Sequence, residues 1–155
     1  MNNRLLIING PGLSDLSNFN EFGYDDLTLE KVQQKCLETC ESLGLTLEFC
    51  QTDDEIELTN YLTKACKEFD ALIVNPVGYS HASSLDFDIY TSNIETITLQ
   101  NKPVIEVHIA NIFQKGINIT TPIKVSEGNV GFVSGFGIHS YDLAIRAVNK
   151  KLRKN

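Results

Sequence analysis

Two ionisable side chains stand two residues apart in an otherwise apolar run, PVIEVHIAN at 103–111. Val104, Ile105, Val107 and Ile109 are β-branched and suit a pleated, buried strand. Alternation along a strand places Glu106 and His108 on one face with adjacent heads. A carboxylate beside an imidazole can orient the ring and favour the imidazolium, the form that donates a proton. The same pair also suits a structural hydrogen bond; its neighbours weight the reading toward chemistry. Asn75 and His81 of NPVGYSH fall on the loop after an adjacent strand, and Asn111 lies just past the Glu106–His108 run. Tyr24 is a possible base, but a phenol that ionises at about 10 needs a nearby cation or pre-formed hydrogen bonds to act as one at neutral pH. Taken alone, it reads as a tyrosine packing a loop.

The elements that must position these groups alternate along the chain. Apolar runs at 4–9, 45–50, 71–76, 103–111 and 130–135 are predicted strands. Helical spacing predicts helices over 28–44, ended by Gly44; after a cap at Asp53 or Asp54; from Ser83 or Ser84, with the end blurred by the β-branched IETIT; and over 139–154. Five strands alternating with helices imply an α/β fold, flavodoxin-like, with a five-stranded parallel sheet of order 2-1-3-4-5 and helices on both faces, in a single domain over 1–155. Ligands in such sheets bind beyond the carboxyl ends of the strands. That edge collects residues 9–24, 75–81, 106–111 and 135–140. Two of its connections are long and without clear periodicity, as lids or binding loops are.

Bulk properties narrow the function classes. A chain of 155 residues can bury roughly two thirds of its unfolded surface and needs no staples. Its four cysteines, Cys36, Cys40, Cys50 and Cys66, show no CxxC spacing and read as small buried hydrophobes. A net charge of -7 argues against a nucleic-acid partner, and the basic RAVNKKLRKN suits the C-terminal end of a last helix. Neither a signal peptide nor a long apolar run is seen, so a cytoplasmic protein with no membrane partner is expected. GFGIHS is not a GxGxxG fingerprint, and NGPGLSD lacks the hydroxyls that surround a flavin phosphate; no P-loop, HExxH or GxSxG occurs.

Taken together, IINGPGL, Tyr24 before LTLE, NPVGYSH, PVIEVHIANI and GFGIHSYDLAI come in the order and near the spacing of the type II 3-dehydroquinate dehydratase family, which the whole chain resembles. The resemblance implies a homo-oligomer, a dodecamer built of trimers, and a step of the shikimate pathway: trans-elimination of water from 3-dehydroquinate through an enolate, with no cofactor and no metal. It makes Tyr24 the base and His108, oriented by Glu106, the acid. Asn75 and His81 would contact the substrate, the amides of Ile109 and Ala110 its carboxylate, and Asp88 the site of a neighbouring subunit.

The chain departs from the family at positions 12, 19, 110 and 119. Gly12 replaces an asparagine that helps stabilise the enolate, Phe19 a first-lid arginine, Ala110 a serine of the carboxylate contact, and Ile119 a second-lid arginine; Lys115 stands for an earlier lid arginine. Tyr24 thereby loses a cation and gains Asp25 and Asp26 as sequence neighbours. Charged or buried contacts are worth about 1.5–3 kcal/mol each, so losing several would cost four or more orders of magnitude in rate. The expectation is a lyase with weak or altered activity. Its alternatives are a non-catalytic binding or assembly paralogue and a lyase for a less polar carboxylic acid. The paralogue predicts that arginine at 19 and 119, with asparagine at 12, changes activity far more than fold.

Overall fold

Alternation within each strand explains how the layers form. The computed structural model describes residues 2–24, 26–76, 86–113 and 130–154, apart from the Phe87 side chain. The strands are β1 (Arg4–Asn9), β2 (Thr46–Gln51), β3 (Ala71–Asn75), β4 (Val104–His108) and β5 (Val130–Ser134). They pair in parallel in the order β2-β1-β3-β4-β5, as the sequence predicts. Central β1, β3 and β4 are buried on both faces because both faces are covered. Leu5, Ile7, Ile73, Ile105 and Val107 pack with residues of α1 (Leu29–Leu43) and α4 (His139–Arg153), while Leu6, Ile8, Leu72, Val74 and Val104 pack with α2 (Glu55–Glu68) and α3 (Phe87–Thr98). The edge strands β2 and β5 are half-buried, and Phe132 of β5 is exposed.

Local chemistry sets the helix ends. Thr28 accepts from the Lys31 amide at the start of α1, and Gly44 ends that helix with φ of 72°. Asp54 accepts from the Ile56 amide and caps α2. Helix α3 begins at Phe87, later than the sequence predicts: the Asp86 carboxylate accepts from the amides of Asp88 and Ile89, satisfying two donors left open at a helix start. Ser83 and Ser84 lie outside the described residues. The β-branched IETIT stays helical through Thr98 because Ile94 and Ile97 are buried against the sheet, and burial outweighs their weaker helix propensity.

A 3-10 helix at Ser17–Phe22 has no counterpart in the sequence reading. It lies in the long connection after β1, and Leu13, Leu16 and Phe19 tie it into the α1–α4 side of the core. Among the described residues no helix is long and apolar enough to cross a membrane.

Candidate functional site

The acid–imidazole pair forms as its spacing predicts. His108 Nε2 lies 3.1 Å from Glu106 Oε2, with both side chains buried at the carboxyl end of β4. Both point toward the α2–α3 layer. Tyr90 of α3 closes the other side of the carboxylate, its hydroxyl donating to Glu106 Oε1 over a long 3.5 Å. Burial, and then the Glu106 charge, push the Tyr90 phenol well above its ordinary value, so it remains a neutral donor. The His108 ring packs on Phe132 with centroids 5.5 Å apart. A buried carboxylate thus meets an imidazole on one oxygen and a phenol on the other, a geometry that fixes the ring and leaves its far edge for proton transfer.

Tyr24 approaches from the first connection. Its hydroxyl donates to the Gly135 carbonyl at 3.2 Å and accepts from the Asn111 amide at 3.3 Å, joining the turns that follow β4 and β5. Its own amide donates to the Phe19 carbonyl. The next amides after β4 are engaged as well: Ile112 donates to Ser134 Oγ and Phe113 to the Asn111 side chain. Ser134 Oγ in turn donates to the Ala110 carbonyl at 2.9 Å, so β5 supplies a hydroxyl beside Ala110.

Phe19 is 5% exposed and belongs to the core with Leu13, Leu16 and residues of α4. The position is packed, so a guanidinium there would have to leave the core or be buried without its water. Gly12 donates its amide to the Asp53 carboxylate at 3.1 Å, which anchors the start of the connection to the loop after β2.

Asn75 is separated from the acid pair by the sheet itself. It ends β3 on the α1–α4 side, opposite Glu106 and His108, and its Nδ2 donates to the Tyr141 hydroxyl at 3.1 Å. That hydroxyl donates to Asn9 Oδ1 at 2.7 Å. Burial raises the Tyr141 phenol far above its ordinary range. Ile109 and Ala110 are buried just past β4, and Asp88 is exposed in the first turn of α3. His81, Lys115, Ile119 and Asp25 lie outside the described residues.

Sequence reasoning missed Tyr90, Ser134, Asn9 and Tyr141. Tyr90 and Tyr141 were legible only as apolar helix positions, and their partners lie 16 and 132 residues away. Asn9 carried a signal, since it ends β1 at the ligand-binding edge in register with Asn75. All four cysteines are free, and burial lifts the Cys40 thiol to about 12. Among the described residues no three His, Cys, Asp or Glu side chains are grouped to hold a metal ion.

Comparison with known proteins adds a consistent set of likenesses. A family model described as dehydroquinase class II matches residues 3–149. A 3-dehydroquinate dehydratase of Clostridium botulinum is 31% identical over 154 residues, which is 99% of this chain and 96% of that protein. Another, from Thermoanaerobacter pseudethanolicus, is 33% identical over 145 residues, 94% and 93% of the two chains. The crystal structure of a type II dehydroquinase from Butyrivibrio crossotus matches with a TM-score of 0.76 and 25% identity, over 96% of this chain and 98% of that one.

Proposed function

The chain belongs to the class II dehydroquinase family, and from that premise we propose that it is a hydro-lyase of the 3-dehydroquinate dehydratase type with weak or altered turnover. The observation that carries this reading is the buried Glu106–His108 pair, 3.1 Å apart at the carboxyl end of β4. In this assignment Tyr24 takes the proton next to the substrate ketone, and the electron pair moves onto the carbonyl oxygen as an enolate. The enolate then collapses, the adjacent C–O bond breaks, and the hydroxyl leaves as water with a proton from His108. Glu106 orients the imidazole and offsets its charge. Asn75 and His81 contact the substrate, the Ile109 and Ala110 amides hold its carboxylate, and Asp88 serves the site of a neighbouring subunit in a trimer-based dodecamer of cytoplasmic location. The chemistry uses neither metal nor cofactor.

Weak turnover follows from two features of the base side. The Tyr24 hydroxyl holds its proton on the Gly135 carbonyl, so Tyr24 must first release that proton to solvent and act as the phenolate before it can take one from the substrate. Phe19, which stands where the family has an arginine, is buried. The same burial favours a second reading, a binding or assembly paralogue without catalysis, or a lyase for a less polar carboxylic acid. Purified protein with 3-dehydroquinate, followed by ultraviolet absorbance of the conjugated enone, separates these readings. His108→Ala is expected to lower turnover by about 10²–10⁴-fold. Product formed no faster by the wild type than by His108→Ala would leave the paralogue or the lyase for a less polar acid.

A further inference from the structure

Helix α3 buries a phenol in an apolar cluster. Tyr90, Ile94 and Ile97 recur at helical spacing and pack with Leu58, Leu62 and Val104. A phenylalanine ring would fill the same space, so packing does not call for the oxygen, and a buried hydroxyl must find a partner. That partner is Glu106, whose Oε1 lies 3.5 Å away, while Oε2 of the same carboxylate lies 3.1 Å from His108 Nε2. The start of α3 is tied down one turn earlier. The Tyr90 amide donates to the Asp86 carbonyl, and the Asp86 amide donates to Glu55 Oε1 of α2 at 2.7 Å. The phenol is thus a fixed donor aimed at the carboxylate.

Charge balance decides when that donor matters. While His108 carries its second proton, the imidazolium and Glu106 offset each other, and a contact as long as 3.5 Å adds little. When His108 gives that proton to the departing hydroxyl, the ring becomes neutral and Glu106 is left as a buried anion with no charge opposite it. Tyr90, which burial keeps as a neutral donor, then has the whole charge to donate to, and its hydrogen bond shortens and strengthens. A contact that strengthens as the proton moves favours the transition state over the bound substrate.

We propose that Tyr90 is a positioning residue for the acid half of the site: it holds Oε1 of Glu106, keeps Oε2 turned to His108, and supports the Glu106 anion as His108 gives up its proton. The proposal rests on the dehydroquinate reading above and adds to it a third member of the acid pair. Tyr90 acts through Glu106, so its loss should lower kcat with little change in KM.

The test compares wild type, Tyr90→Phe, Glu106→Gln and the double variant Tyr90→Phe, Glu106→Gln. Enone absorbance gives kcat and KM for 3-dehydroquinate, thermal midpoints give stability, and the imidazole nitrogen NMR signals of His108, assigned by their loss in His108→Ala, report on the pair without substrate. Tyr90→Phe is expected to lower kcat about tenfold, to leave KM within about twofold and to move the His108 signals; on the Glu106→Gln background, with no anion to support, the same change should alter kcat less than about twofold. Unchanged kcat in Tyr90→Phe overturns the proposal. An equal loss on both backgrounds also overturns it, because Tyr90 then serves packing alone. Should Tyr90→Phe fail to fold, the double variant decides: folding restored by removal of the stranded anion supports the proposal, and failure of both overturns it. Wild type that does not turn over dehydroquinate overturns the dehydroquinate reading. The His108 signals then judge Tyr90 separately: moved in Tyr90→Phe, they uphold its grip on Glu106, and unmoved, they overturn the proposal as well.

Discussion

Phe19→Arg is expected to destabilise the protein and lower its turnover, although the sequence resemblance implies an arginine at that position. Phe19 is 5% exposed and packs with Leu13, Leu16 and the α4 side of the core. Truncating a buried phenylalanine costs about 3–5 kcal/mol. An arginine recovers part of this through its methylene stem while its guanidinium reaches for water, so a net loss of about 3 kcal/mol is expected. At about 2–4 °C per kcal/mol for a chain of this size, the thermal midpoint should fall by about 6–12 °C. Function follows packing here, because the Phe19 carbonyl accepts the Tyr24 amide at 3.2 Å and the Phe19 amide donates to Leu16. Loosening the 3-10 helix therefore releases the candidate base. Urea unfolding at fixed m gives the stability change, and the enone assay gives the rate. A Phe19→Arg protein as stable as wild type and faster on dehydroquinate would refute the anchoring role and make position 19 a free lid position.

Two further outcomes follow from the same contacts. Gly137→Ala is expected to cost about 1–2 kcal/mol, because residue 137 has φ of 59°, and its added Cβ would meet Tyr24 Cδ1 at 3.2 Å; thermal midpoints check the cost, and a drop in enone formation checks the displacement of Tyr24. Asp142 carries a pH signature: burial alone would raise its carboxyl, but hydrogen bonds from Thr39 and Arg146 leave it below the ordinary 3.8. A lowered carboxyl stabilises fully above 3.8 and progressively less as pH falls through the folded value, so the stability gap between wild type and Asp142→Asn should be constant from about pH 5 to 7 and close below about pH 4, read as urea midpoints.

The strands were legible because parallel strands buried on two faces are short continuous apolar runs, and all five strand starts fall within one residue of the predicted ones. Glu106 and His108 were legible for the same reason: a strand's two-residue period needs no tertiary information to put two heads side by side. The 3-10 helix was not found, although Leu13, Leu16 and Phe19 recur every third residue, the period of a 3-10 turn. Helical and strand templates of period 3.6 and 2 pass over such a run. The Asn9–Tyr141–Asn75 network was illegible for a different reason, since strand order brings Asn9 beside Asn75 and only the packing of α4 on the sheet brings Tyr141, 132 positions from Asn9, into contact with them.

Strand alternation also fixes how the two halves of the proposed reaction meet. Even positions of β4 send Glu106 and His108 to the α2–α3 layer, where Tyr90 closes over the carboxylate. Tyr24 packs on the α1–α4 side, and odd-numbered Asn9 and Asn75 point the same way toward Tyr141. A substrate lying across the carboxyl edge of the sheet would then meet its base from one layer and its acid from the other. Removal of a proton and a hydroxyl by groups on opposite sides is an anti elimination, so the stereochemistry of the proposed reaction is set by which residues of β4 are even. A one-residue shift of β4 would turn both acid-pair side chains to the layer that holds Tyr24 and abolish that opposition.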